Sequence, residues 1–159
     1  MKKLNVLVGT LFLWCGVSGC GGESHDTLIK EMIDIVRRTG QVLKSITDEA
    51  KPKEKKETLQ SIMDRVDKKA RAAAKELQEL GAELQNLNKK AAGLRESLSK
   101  EEKARLEKEW KAKFQAEMEN TNKEWEKLNN LKIGGKNHGK AVVRILEQTG
   151  ALQAFSSRS

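Results

Sequence analysis

Apolar residues between Leu59 and Leu98 recur at alternating spacings of four and three residues. This is the heptad period of a helix whose apolar stripe packs against other helices. We call this stripe the seam, and its a and d positions are Leu59, Met63, Val66, Ala70, Ala73, Leu77, Leu80, Leu84, Leu87, Ala91, Leu94 and Leu98. A long helix built around the seam is therefore the first element that the sequence predicts.

The flanking residues predict two further long helices. The three helices are expected at about residues 26–46, 52–97 and 100–131. Pro52 suits the first position of the second helix, where its missing N–H is not needed. Ser99 and Glu102 form the pattern of a capping box at the start of the third. Gly40 lies inside the first helix and weakens it by about 1 kcal/mol relative to Ala.

The charges beside the seam argue against a parallel homodimer. None of the flanking pairs between two copies would be attractive, and Lys90 with Arg95 would repel. We therefore expect antiparallel pairing within the chain, with the third helix as the partner of the seam. One continuous helix from Pro52 to Leu131, with a phase slip at Glu102, is the alternative. The predicted fold is all-α: an antiparallel coiled-coil hairpin or three-helix bundle with a short C-terminal helix.

The C-terminal part predicts smaller elements. Residues 132–139 contain three glycines and read as a flexible linker, residues 140–155 as a short helix, and residues 156–159 as a loose tail. Trp110 and Trp125 fall on roughly the same side of the third helix. They are either core anchors against the second helix or an aromatic surface for a partner.

The composition agrees with long helices that have polar outer faces. Of 159 residues, 34% are charged and 4% aromatic, with one proline, which does not suit a β-sandwich or an α/β enzyme. Such a polar chain could also be disordered, but disordered segments seldom keep a fixed apolar period. The net charge of +8 suits nucleic acid, anionic lipid or acidic glycans as partners, and the oligomeric state stays open.

The first twenty residues carry the pattern of a secretory signal. Lys2 and Lys3 precede an apolar run from Leu4 to Val17, which is shorter than the roughly 20 residues of a membrane-spanning helix. The run ends in Val17, Ser18, Gly19 and Cys20, which resemble the lipobox of bacterial lipoproteins. The resemblance implies cleavage after residue 19, a diacylglyceryl group on the Cys20 thiol and an acyl chain such as palmitate on its new amino group. Residues 20–25 would then be the lipidated cysteine and a tether.

The same resemblance implies the compartment. The protein is expected in the bacterial cell envelope, anchored to a membrane, with the outer membrane favoured over the inner because Gly21 replaces the aspartate that retains inner-membrane lipoproteins. Five tether residues reach at most about 18 Å, so basic side chains are expected to meet anionic headgroups. Expected partners are the membrane itself, other envelope proteins, and anionic lipid or cell-wall polymer. Nucleic acid is not expected there.

Candidate chemistry is sparse. His25 and His138 are the two histidines, and neither has carboxylates or thiols at ligand spacing, so no metal site is predicted. The sequence contains no Ser–His–Asp set and no phosphate-binding glycine loop, so no enzymatic activity and no cofactor beyond the lipid on Cys20 are expected. We predict a non-enzymatic helical interaction or structural module near the membrane surface. The alternative is a holdase that shelters unfolded exported proteins, on a similarity of composition to a known periplasmic holdase.

Overall fold

A computed structural model describes residues 25–153 and residue 155. The predicted signal peptide and residues 156–159 lie outside the described residues. Within them the chain forms four helices and one two-stranded hairpin, which confirms the all-α prediction. The elements are α1 (His25–Asp48), α2 (Leu59–Arg95), α3 (Lys100–Asn129), β1 (Lys132–Ile133), β2 (Lys136–Asn137) and α4 (Gly139–Gln148).

Helix α1 packs against both other long helices, antiparallel to α2 and parallel to α3. Its first residue, His25, lies beside the backbone of Ala91 near the end of α2. At its other end, the Glu49 carbonyl accepts hydrogen bonds from Arg65 in the second turn of α2. The three helices therefore run up, down and up, as short connections between neighbours require.

The partner of the seam is α1, so the expectation that α3 covers it is wrong. Along the described chain, α2 and α3 scarcely approach each other, because α1 lies against both. The reason is the width of the apolar face of α1, which is broader than a two-position seam and can face two neighbours at once. Its buried residues are Leu28, Met32, Ile35, Val36, Thr39, Gly40, Val42, Leu43 and Ile46.

Helix α1 approaches α3 closely at Gly40. A Cβ atom at this position would lie 3.0 Å from Thr121 Oγ1 and 3.5 Å from Thr121 Cα. Thr121 is 3% exposed, and its hydroxyl donates a 2.9 Å hydrogen bond to the Val36 carbonyl. The glycine that weakens α1 as an isolated helix thus lets α3 pack closely against it.

The middle of the seam is buried and its two ends are not. Val66, Ala70, Ala73, Leu77, Leu80, Leu84 and Leu87 are buried. Met63, Ala91, Leu94 and Leu98 are half-buried, because α1 is shorter than α2 and covers its ends less completely. Leu59 is 52% exposed, although one of its methyl groups lies against Gly134.

The boundaries of α2 differ from the prediction at its start. The helix begins at Leu59, seven residues after Pro52, with the Thr58 hydroxyl accepting a hydrogen bond from the Ser61 N–H. At its end, a short turn separates α2 from α3. The capping box is formed there, with the Ser99 and Glu102 side chains each accepting from the backbone N–H of the other residue. The chain is therefore a helical hairpin at this point rather than one long rod.

The glycine-rich segment is a tight hairpin, so the prediction of a flexible linker is wrong. Gly134 and Gly135 have φ angles of 58° and 78°, which a two-residue hairpin turn requires. Ile133 is buried against α2, and the N–H groups of His138 and Gly139 both donate to the Leu131 carbonyl. Specific packing and hydrogen bonds hold this segment in place.

Helix α4 closes the bundle against α2 and α3. A Cβ atom on Gly139 would come within 2.2 Å of the Leu128 carbonyl oxygen, so the start of α4 lies directly on the end of α3. Val142 and Leu146 are fully buried. The helix ends at Gln148, before the predicted residue 155. Turns follow at residues 149–153 and at Phe155, which is itself buried.

Adjacent alanines on α2 test the packing of the seam. Ala73 is buried and Ala72 is exposed. We expect Ala73→Leu to lower the free energy of unfolding by about 1–3 kcal/mol, because the added atoms overfill a packed interface. Ala72→Leu introduces the same residue on the outer face and should change it little. Urea unfolding followed by circular dichroism measures both, and equal stabilities would refute this packing.

A second pair of variants tests the approach of α1 to α3. Gly40→Leu should destabilise the protein by about 1–3 kcal/mol, because the side chain would enter the space of Thr121. Gln41→Leu places the same side chain at the exposed neighbouring position and is the control. If thermal unfolding gives the same midpoint for the two variants, the helices are not in close contact at Gly40.

Candidate functional site

The predicted lipidation motif, Val17, Ser18, Gly19 and Cys20, lies outside the described residues. The buried seam residues act in packing, as their place in the main core shows. None of the described helices is long and apolar enough to cross a membrane.

Each of the two histidines contacts another element of the bundle. His138 is 12% exposed, and its Nε2 lies 2.8 Å from the Asp67 carboxylate, which ties the hairpin to α2. His25 begins α1, and its burial there lowers its pKa. Among the described residues, no three His, Cys, Asp or Glu side chains group closely enough to hold a metal ion.

The core offers little room for a ligand. A cavity between the three long helices and the C-terminal turn has a volume of about 20 Å³, and its lining includes Thr39, Trp125 and Phe155. That space is close to the size of one water molecule, whereas small-molecule sites usually enclose roughly 300 Å³ or more. The cavity is therefore a packing defect rather than a pocket.

The two tryptophans of the bundle have different environments. Trp125 is 9% exposed and belongs to the main core. Trp110 is half-buried and stacks on Phe114 with ring centroids 5.1 Å apart, beside Ile33 and Val36 of α1. Both rings therefore pack in the bundle, and Trp110 lies at the edge of both core clusters.

The charge distribution distinguishes one end of the molecule. We call residues 44–69 and 123–144 the loop end, because the α1–α2 loop, the hairpin and the start of α4 meet there. Contacts of Leu59 with Gly134 and of His138 with Asp67 join these segments. The loop end has fourteen Lys and Arg against eight Asp and Glu, a formal net charge of +6. All other described residues have fourteen against fourteen.

Arg65 organises the α1–α2 loop. Its guanidinium is 21% exposed and pairs with the carboxylates of Glu49 and Glu57. It also donates to the backbone carbonyls of Glu49 and Lys51, at 2.7 and 2.8 Å from Nη2. One planar group thus binds four acceptors, a geometry that Arg provides and Lys does not.

The carboxylates of this loop are ionised and engaged. Hydrogen bonds from Lys44 and Lys51 lower the pKa of Asp48 to about 2. The Lys53 ammonium, and after it Arg65, lowers the pKa of Glu49. For Glu57, the Lys53 backbone N–H is the main cause of a lowered pKa. These three carboxylates therefore pair with Lys44, Lys51, Lys53 and Arg65.

Five exposed lysines of the α1–α2 loop, the hairpin and the start of α4 stand outside these pairs. Lys55 and Lys56 lie in the α1–α2 loop, and Lys132, Lys136 and Lys140 lie on the hairpin and the first turn of α4. No ion pair links any of them to another described residue. Nothing local signals that the fold brings a second basic segment, from more than seventy residues away, to the same end.

A comparison with known protein families, curated proteins and solved structures finds no match to this chain.

The role of Arg65 can be tested by mutation. Arg65→Gln should lower the free energy of unfolding by about 1–3 kcal/mol, because two carbonyls and two carboxylates lose their charged donor. Arg71→Gln on the same helix is exposed and serves as the control. Chemical denaturation gives the stability, and a lysine-specific protease should cut residues 51–57 faster in the Arg65 variant. Identical unfolding and cleavage in both variants would contradict this role.

Proposed function

We propose that this chain is a lipid-anchored protein of the bacterial cell envelope, acting as a non-enzymatic helical interaction module. The observation that carries the proposal is the run Val17, Ser18, Gly19 and Cys20 behind a basic start and an apolar stretch. Its order of residue types resembles that of lipoprotein signals. The proposed attachment is through acyl groups on Cys20, and two acyl chains suffice for stable membrane anchoring.

The geometry of the bundle supports an anchored module with two distinct ends. Helix α1 begins five residues after Cys20, beside the last turns of α2. We call this the tether end. The loop end follows the far end of α1, about 36 Å away at 1.5 Å per residue over 24 residues. With the anchor on Cys20, the five exposed lysines of the loop end would face away from the membrane. The sequence alone had suggested that basic side chains would meet the headgroups.

The polar groups of the bundle interior support a structural role. Thr121 bonds the Val36 carbonyl, and Thr39 bonds the carbonyl of Ile35 one turn earlier in its own helix. His138 bonds Asp67. Each of these groups joins or stabilises elements of the bundle, and none converges with others on a space that could hold a substrate.

The holdase alternative is less well supported. A holdase binds unfolded clients through exposed apolar surface. Among the described large hydrophobic residues, Leu59 stands out as exposed, and it packs partly on the hairpin. A charged outer surface with buried apolar faces fits a module with a folded or polymeric partner better.

The intact mass of the protein from bacterial membranes tests the proposal. We expect a chain that begins at Cys20 and carries acyl groups. Cys20→Ser should abolish processing and acylation, because the thiol is the acceptor. Cys15→Ser is the control, since residue 15 would be removed with the signal and the mature mass would equal that of the unmodified protein.

An unprocessed or unacylated chain would refute the anchor. An altered mature mass for Cys15→Ser would place the cleavage site before residue 15 and refute the assignment of Cys20. The envelope would then no longer be the expected compartment.

A further inference from the structure

We infer that the loop end binds a linear anionic polymer through the ammonium groups of Lys55, Lys56, Lys132, Lys136 and Lys140. This inference deepens the proposed function, on which it rests for the compartment and for the direction that the loop end faces. The surface itself follows from the fold and the charges alone. A linear anionic polymer is the class of partner that an anchored module of this shape would bind.

The excess positive charge of the described chain is confined to the loop end. The net +6 of the described chain lies entirely in the loop end, while the remaining helix surfaces are neutral overall. At physiological salt, charges separated by more than about 8 Å are largely screened from each other. A polyanion would therefore be attracted to this end of the molecule and only weakly to the rest.

The neighbouring acidic side chains do not cancel the positive charge of the five lysines. Asp48, Glu49 and Glu57 are engaged by other cations, and Asp67 pairs with His138. Glu124 pairs with Lys127. Glu54, Asp64 and Glu126 are the other acids of the loop end. Their charges are outnumbered, because they must balance Lys68, Lys69, Lys123 and Arg144 as well as the five lysines.

The arrangement of the five ammonium groups indicates the kind of anion that they would bind. The five groups are flexible point charges on three separate segments, the loop, the hairpin and the start of α4. Lysines of this kind do not form the rigid fork by which arginine grips a single phosphate or carboxylate. Several spread ammonium groups instead match a chain that repeats its negative charge, where each contact releases a counterion.

Two other anionic partners fit less well. A membrane surface is favoured by apolar side chains that insert beside the basic groups, and Leu59, the exposed apolar residue here, is held against Gly134. Single-stranded nucleic acid is bound by aromatic side chains that stack on its bases. The aromatic residue of the loop end is Trp125, and it is buried in the core.

Binding of fluorescent linear polyphosphate to the purified protein in neutral detergent micelles tests the inference. The test variant replaces Lys55, Lys56, Lys132, Lys136 and Lys140 by Gln. The control variant replaces five exposed lysines outside the loop end by Gln: Lys89, Lys100, Lys108, Lys111 and Lys113. Both variants lower the net charge by five, so total charge is matched.

We expect the unmodified protein to bind the polymer with an affinity that falls steeply as salt is raised from about 0.05 to 0.2 M. The test variant should bind about tenfold more weakly or worse, with a shallower salt dependence. The control variant should stay within about twofold, because its lysines lie beyond the screening distance. Circular dichroism verifies that both variants are folded.

A second arm measures binding to phosphatidylcholine vesicles with and without phosphatidylglycerol. The anchor would insert into both, so a difference between them reports only charge. Equal loss of polymer binding in the two variants, or no polymer binding by the unmodified protein, would overturn the inference. A preference for anionic vesicles without polymer binding would overturn it in favour of a lipid surface.

The micelle titration works with the protein in either processed or unprocessed form. A chain that lacks acyl groups but binds polymer at the loop end would refute the proposed function and leave the surface intact. An acylated chain that binds no polymer would do the reverse.

Discussion

The packing of α1 against both α2 and α3 is the constraint on which the rest of the fold depends. The backbones of α2 and α3 scarcely approach each other, and each helix packs closely along α1. The approach to α3 is possible because Gly40 has no side chain and Thr121 satisfies its hydroxyl on the Val36 carbonyl. A buried hydroxyl without a partner would destabilise this contact, whereas here it links the two helices.

This arrangement explains which parts of the fold could be predicted from the sequence. The phase of the seam and the capping box at Ser99 are local patterns, and the structure contains both. The partner of the seam is not a local property, because it depends on the relative widths of two apolar faces. The regular heptads of α2 suggested α3 as the partner of the seam, whereas the broader face of α1 packs against both helices within the bundle.

The remaining errors have the same origin. Pro52 is a good first helical residue, but Arg65 holds the backbone of residues 49 and 51 in a loop, and the helix starts at Leu59. The glycines at 134, 135 and 139 suggested flexibility. Two of them instead permit a tight turn and the third allows α4 to lie on α3. The basic loop end was missed because its lysines come from segments far apart in sequence, which only the tertiary fold brings together.

Helix α1 also determines how the two proposed functional features are related. The proposed tether from Cys20 would join its first residue, and the lysine-bearing loop follows its last turn, so the length of this one helix would separate the anchor from the basic surface. The connection is rigid, because α1 is packed along its length and Arg65 and His138 hold the loop and the hairpin onto α2. Rigidity matters here because ordering the lysine side chains on binding a polymer already costs entropy, and a mobile support would add to that cost. In the proposed arrangement, the bundle is therefore a spacer that holds a basic surface about 36 Å from its anchored end.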